Sequence, residues 1–222
     1  ESRYTMADNR KKYGIRFHST QGGSGRPACL EALVASGYAG DHGGSVGIAI
    51  GDPVDYLATG FVELTNDTAT RDTLWGVVMN VANAKVDING KAKPANYLPS
   101  GTTYSLEETT SKLIVAPFSD HIWEMDCNDN TTATTLAAYR ALVGENVDMV
   151  FSRDTSNPDK PKCNPLISIT SHAVTAALMW RIVGVSKTRE NQDFSGNFVK
   201  LLVQLNQGFD PTLNGVTGMA GI

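Results

Sequence analysis

The chain has 222 residues, enough to bury a substantial core as one domain or two small ones. It is 41% hydrophobic and 19% charged with a net charge of −4, fewer charges than the usual ~25%. No apolar run approaches the ~18 residues of a membrane-spanning helix, and no basic-then-apolar leader marks a signal peptide. Three cysteines, Cys29, Cys127 and Cys163, cannot all pair within the chain and form no C-x-x-C. Free thiols in a reducing compartment are therefore expected. The abundance of Thr, Gly and Asn favours strands and turns.

In residues 1–27, Arg3, Arg10, Lys11, Lys12, Arg16 and Arg26 outnumber Glu1 and Asp8, a net of +4 that leaves −8 on the remainder. This polar segment lacks periodicity and runs into Gln21-Gly22-Gly23-Ser24-Gly25. It is expected to be an extended arm, either solvated or docked on an acidic neighbour through Arg10, Lys11, Lys12 and Arg16.

The next element contains Gly43-Gly44-Ser45-Val46-Gly47, which satisfies the G-x-S-x-G of a nucleophile elbow, with His42 beside it. An elbow needs a buried strand before the serine and a helix after it. Here a glycine-rich stretch precedes it and the β-branched "VGIAIGDPV" follows, so Ser45 is expected to be structural.

From residue 46 short Val-, Ile- and aromatic-rich runs follow one another, bounded by Gly, Asn, Asp or Pro: "VGIAIGDPV", "DYLATGFVELT" and "TLWGVVMNVANAKVDING". "KLIVAPFSDHIWEMDCND" reads as two strands split at Pro117 and Ser119-Asp120, as in a hairpin. "PLISIT", "ALMWRIVGVSKT" and "FVKLLVQLNQ" complete the set, while "SKTRENQDFSGN" is a polar loop. Such a series predicts a mainly β fold of small barrel or sandwich modules. One short helix is predicted over 132–143, where Leu136, Tyr139, Leu142 and Val143 recur at helical spacing. Asn130 or Thr131 would cap its start, with Gly144 beyond its end. The expected organisation is an arm and linker over 1–40, β modules over 41–100 and 101–208, and an irregular tail over 209–222. An echo between "LWGVV" at 74–78 and "MWRIVGV" at 179–185 hints that the two modules are related.

The remaining candidate sites are weak. His18, His42, His121 and His172 never stand at zinc-ligand spacing. Asp126, Asn128 and Asn130 open like a calcium loop but lack its glycine at position six and its glutamate at position twelve. A cation held by Asp126 and Asp129 is the alternative to helix capping. No phosphate-binding glycine motif occurs, and Glu107 and Glu108 are adjacent, so they face apart if extended. Trp75, Trp123 and Trp180 fall within strand-like runs and are expected in the core. Six cations in an acidic chain make a modest nucleic-acid footprint.

The chain resembles a capsid decoration (cement) protein of a tailed bacteriophage. The resemblance lies in the basic, glycine-ended arm and in a first β element "IGDPVDYLATGFVEL…DTLWGVVMNV", with Gly51 to Val54 opening a strand and Gly76 to Val78 closing a barrel. A second module from "SKLIVAPFSDHIWEMDCND" to "FVKLLVQLNQ" follows. It implies a structural virion protein on the capsid surface, made in the host cytoplasm, that bridges major capsid protein subunits. It further implies a homo-oligomer, a trimer among the options, with no enzyme activity, metal or cofactor, and no nucleic-acid or membrane partner. A tail-tube or head–tail joining protein and a carbohydrate-binding β-sandwich are the alternatives.

Overall fold

The computed structural model describes residues 15–20, 25–34, 48–56, 60–65, 74–86, 92–95, 97–98, 112–119, 121–128, 133–154, 162–174, 178–188, 191, 193–195 and 198–206. The fold is mainly β with one short helix, as expected. In chain order the strands are β1 (Arg16–Thr20), β2 (Leu30–Leu33), β3 (Ile48–Ala49), β4 (Pro53–Tyr56), β5 (Val62–Leu64), β6 (Leu74–Val86), β7 (Ala92–Ala95) and β8 (Tyr97–Leu98). They continue with β9 (Lys112–Pro117), β10 (His121–Cys127), β11 (Asn146–Asp154), β12 (Lys162–Ala173), β13 (Trp180–Val185) and β14 (Lys200–Leu205). The helix α1 spans Leu136–Ala141, between β10 and β11.

The C-terminal strands form a closed five-stranded barrel, β10-β12-β11-β13-β14 and back to β10. Closure follows from alternation. Trp123, Met125 and Cys127 of β10 and Leu201, Val203 and Leu205 of β14 are all buried in one cluster, so one face of each strand is apolar and the ring encloses it. The β10–β12 pair is parallel and the other four are antiparallel.

A second sheet runs β2-β9-β6-β4-β5, and a parallel bridge from Val34 to Val62 joins its two outer strands. Its core is a separate cluster of Ala32, Val34, Ile48, Val54, Val62, Leu64, Val78, Val81, Leu113 and Val115. This ring repeats the first strand for strand, with β2, β4, β5, β6 and β9 in the places of β10, β11, β12, β13 and β14. The registers agree as well. Leu30↔Val115 matches Trp123↔Val203, Val34↔Val62 matches Cys127↔Ile167, and Tyr56↔Val62 matches Met149↔Ile167. Val54↔Gly76 matches Val147↔Trp180, and Val78↔Val115 matches Ile182↔Val203. Even the bulge that follows falls in the same place, Val78/Asn80 against Ile182/Gly184. In this register Lys112-Leu113-Ile114-Val115 overlies Lys200-Leu201-Leu202-Val203.

The repeat changes several expectations. Residues 16–20 and 30–33 of the expected arm and linker are strands, β1 flanking β10 of the second ring and β2 belonging to the first, and β9, beyond residue 100, completes the ring of the first module. The expected hairpin over 112–128 does not form: β9 and β10 go to different rings, because each already has an antiparallel partner of matching apolar face. The echo between 74–78 and 179–185 does fall on equivalent strands, but one residue out of register, since Trp75 is the bulged residue between Val54↔Gly76 and Asp55↔Leu74.

Phe118 links the rings. It is fully buried in the second core, with its ring edge-on to Trp123 (5.3 Å) and Trp180 (4.8 Å). Leu74, Val77 and Ala116, on the outer side of the first ring, join the same cluster.

The helix is shorter than predicted. Its cap is Thr135, whose Oγ1 accepts from the Ala138 amide at 3.2 Å; Asn130 and Thr131 lie outside the described residues. Tyr139 and Leu142 are buried as expected, whereas Leu136 is half-buried and Val143 is exposed. Gly144 adopts φ +99°, a conformation suited to glycine, and its amide donates to Ile182 O at 2.8 Å.

Candidate functional site

The arm residues are only partly placed. Arg16 stands on β1, in register with Glu124 of β10, while Arg10, Lys11 and Lys12 lie outside the described residues. So do His42, Ser45, Glu107, Glu108 and Asp129, and the tail from 207 onward. The segment after the serine motif is described: Ile48–Ala49 is a strand, followed by a turn at Gly51 (φ +91°) and then β4. That stretch has no elbow helix. The turn is tied by Asp52, whose Oδ2 accepts from the Ala49 amide at 2.7 Å.

The three described histidines are not brought together. His18 is on β1 beside Ser19, His121 contacts the Ser119 carbonyl and meets Phe17 edge-on, and His172 pairs with Glu145 at 2.5 Å. Among the described residues no cluster of His, Cys, Asp or Glu could hold a metal ion. Asp126 is no surface ligand: its Oδ1 accepts from Lys200 Nζ at 2.8 Å, both side chains being 2% exposed. Trp123 and Trp180 are core residues, and Trp75 is half-buried against Tyr56.

The sequence pattern gave no sign of a polar seam on the outside of the second barrel. Glu124, Asp126 and Lys200 alternate with the inward residues of β10 and β14, so they point out, yet all three are buried. The chain after β13 covers them. Ser186 Oγ donates to Glu124, and Asn191 Nδ2 donates to Ser186 O (2.8 Å) and Lys200 O (3.0 Å). Asn191 Oδ1 in turn accepts from the Lys200 amide (2.8 Å). Asn191 thus acts as a short strand partner to β14. Phe198, just before β14, is held at φ +64°, which costs a bulky residue about 1–2 kcal/mol.

Beside the seam lies an open cavity of about 660 Å³ between α1, β13, β14 and this loop. Val183, Val185, Phe194 and Leu202 make its apolar lining, and the exposed Arg140 and Lys187 supply positive charge. Ser186, Asn191 and Glu124 bond to one another or to the main chain and Asp126 to Lys200, which holds the loop in place. The arrangement thus sets an apolar surface beside two cations, a combination complementary to groups that are both acidic and apolar.

No family model, curated protein or solved structure matches the chain.

Proposed function

We propose that the chain is a structural virion protein that binds the outer surface of a phage capsid and bridges neighbouring major capsid protein subunits. The observation that carries this reading is the tandem repeat. Two bodies on one chain favour bridging, and here one barrel design occurs twice, joined through the buried Phe118. Two weak attachments on one chain reinforce each other, because binding of the first raises the effective concentration of the second. The cationic, apolar cavity on the second barrel supplies one contact suited to an acidic subunit surface, and the polar groups of the seam are spent on packing instead of chemistry.

The test is co-sedimentation with undecorated capsids, combined with electron microscopy of decorated particles. Saturable binding with density outside the shell is expected. Density confined to the tail or the portal junction, or no binding at all, overturns the reading.

A further inference from the structure

The two rings match in register but differ at one edge. On the second barrel, β1 lies antiparallel along the start of β10, with Arg16↔Glu124 and Phe17↔Trp123. Phe17 packs edge-on at 5.8 Å from Trp123 and 5.5 Å from His121, covering that end of the core. The equivalent residues of the first barrel are Glu31 and Leu30. Among the described residues no strand lies along their outer edge, and Leu30 is 51% and Leu33 42% exposed. An exposed strand edge with apolar side chains is a template for another strand.

The sequence holds a matching segment. β1 meets Glu124-Trp123 with a basic residue followed by an aromatic one, Arg16-Phe17, and the same order occurs four residues earlier as Lys12-Tyr13. Within one chain, β1 is committed to the second barrel and β2 to the first. Ile15 is buried in the second core, and β1 runs from the level of Glu124 towards His121. The chain therefore enters β1 on the far side from His121, whereas the first barrel connects at His121 through Phe118 and Ser119.

We propose that Lys12-Tyr13 of one copy adds as an antiparallel strand to Glu31-Leu30 of a second copy, Tyr13 covering Leu30 as Phe17 covers Trp123. Lys12 then stands opposite Glu31, whose carboxylate is exposed although it also accepts from Lys112 Nζ at 2.7 Å. The contact links copies head to arm. It goes beyond the capsid reading, and its test uses the protein alone, so either can fail without the other.

The experiment mixes two full-length preparations, Tyr13→Cys and Leu30→Cys, both carrying Cys29→Ser and Cys163→Ser, under mild oxidation. An interchain disulfide between Cys-substituted positions 13 and 30 is expected, identified by peptide mass. A Lys12→Cys preparation, whose side chain points to the other face, is expected to give at least tenfold less with Leu30→Cys. Adding Lys12→Glu to the Tyr13→Cys chain should lower the yield several-fold, and Glu31→Lys on the partner should restore it. Equal yields from positions 12 and 13, or no cross-link above random collision, overturn the proposal. So does a dilute Tyr13→Cys/Leu30→Cys double variant that closes within one chain. Leu30 is exposed, so its replacement leaves the core intact, and unchanged circular dichroism checks this.

Discussion

Single side chains on the second barrel carry opposite kinds of risk. Lys200 and Asp126 are 2% exposed and 2.8 Å apart, so removing one partner strands a charge where water cannot reach it. Asp126→Ala or Lys200→Met is expected to cost about 3–5 kcal/mol in chemical denaturation, while Asp126→Leu with Lys200→Met should come close to the wild type. Equal losses for single and double variants would show that packing, not charge, fixes the site. The sequence hides this pair: Asp126 reads as a helix-cap or cation residue, because nothing local reveals that a later loop will bury it. The glycines make a second contrast. A Cβ on Gly76 would meet Ala116 O at 2.5 Å, whereas one on Gly184 would meet only Leu202 Cδ1 at 3.6 Å. Gly76→Ala should therefore destabilise by about 1–3 kcal/mol and Gly184→Ala should be close to neutral, with thermal melting as the measurement.

At the scale of elements, the helix shows what local pattern reveals and what it misses. The spacing of Leu136, Tyr139 and Leu142 is visible in the sequence and two of the three are buried. The start is not, because Asn130, Thr131, Thr132, Thr134 and Thr135, interrupted only by Ala133, all offer plausible caps and only tertiary placement selects Thr135. Leu142→Ala is expected to cost about 2–5 kcal/mol, with the half-buried Leu136→Ala costing clearly less. Thr135→Ala should cost about 1 kcal/mol, and a loss near zero at Leu142 would mean the helix does not brace the barrel. The arm divides in the same manner. Composition identifies 1–27 as basic and polar but cannot show that Phe17 finds Trp123, a contact between distant residues. Deleting residues 1–14 is expected to leave the melting temperature unchanged and to weaken capsid attachment, most at low salt, because high salt already screens the arm's charges. Deleting through residue 20 should also lower the melting temperature, since Trp123 loses its cover.

For the whole molecule, the mainly β character with one helix is legible in the strand-and-turn spacing, but the repeat is barely so. Its strands are four to six residues long in β2, β4, β9, β10's partner β14 and β13, too short for likeness to stand out, and the apolar letters that fill them are interchangeable. Lys112-Leu113-Ile114-Val115 and Lys200-Leu201-Leu202-Val203 are the clearest pair, recognisable only once the registers are known. The same limit hides the join between rings, because Phe118 sits in what looks like a hairpin turn. Phe118→Ala should cost about 3–5 kcal/mol and loosen the environment of Trp123 and Trp180. Near-UV circular dichroism and denaturation would read both effects, and an unchanged aromatic signal would remove Phe118 as the link.

The pairing of β1 with β10 also imposes an order on biosynthesis. A first ring that needs Pro117 for its last strand has all its strands outside the ribosome before those of the second have emerged, so the nascent chain can complete one barrel and then begin the other. β1 belongs to the later barrel although it is translated before either. Phe17 must wait, through the completion of the first ring, until Trp123 emerges. During that interval an early basic-aromatic strand is available to whatever acidic surface or chaperone stands near the ribosome exit. Chains truncated between the two rings, released from the ribosome, should thus hold a closed first barrel and an arm whose amides exchange freely with solvent.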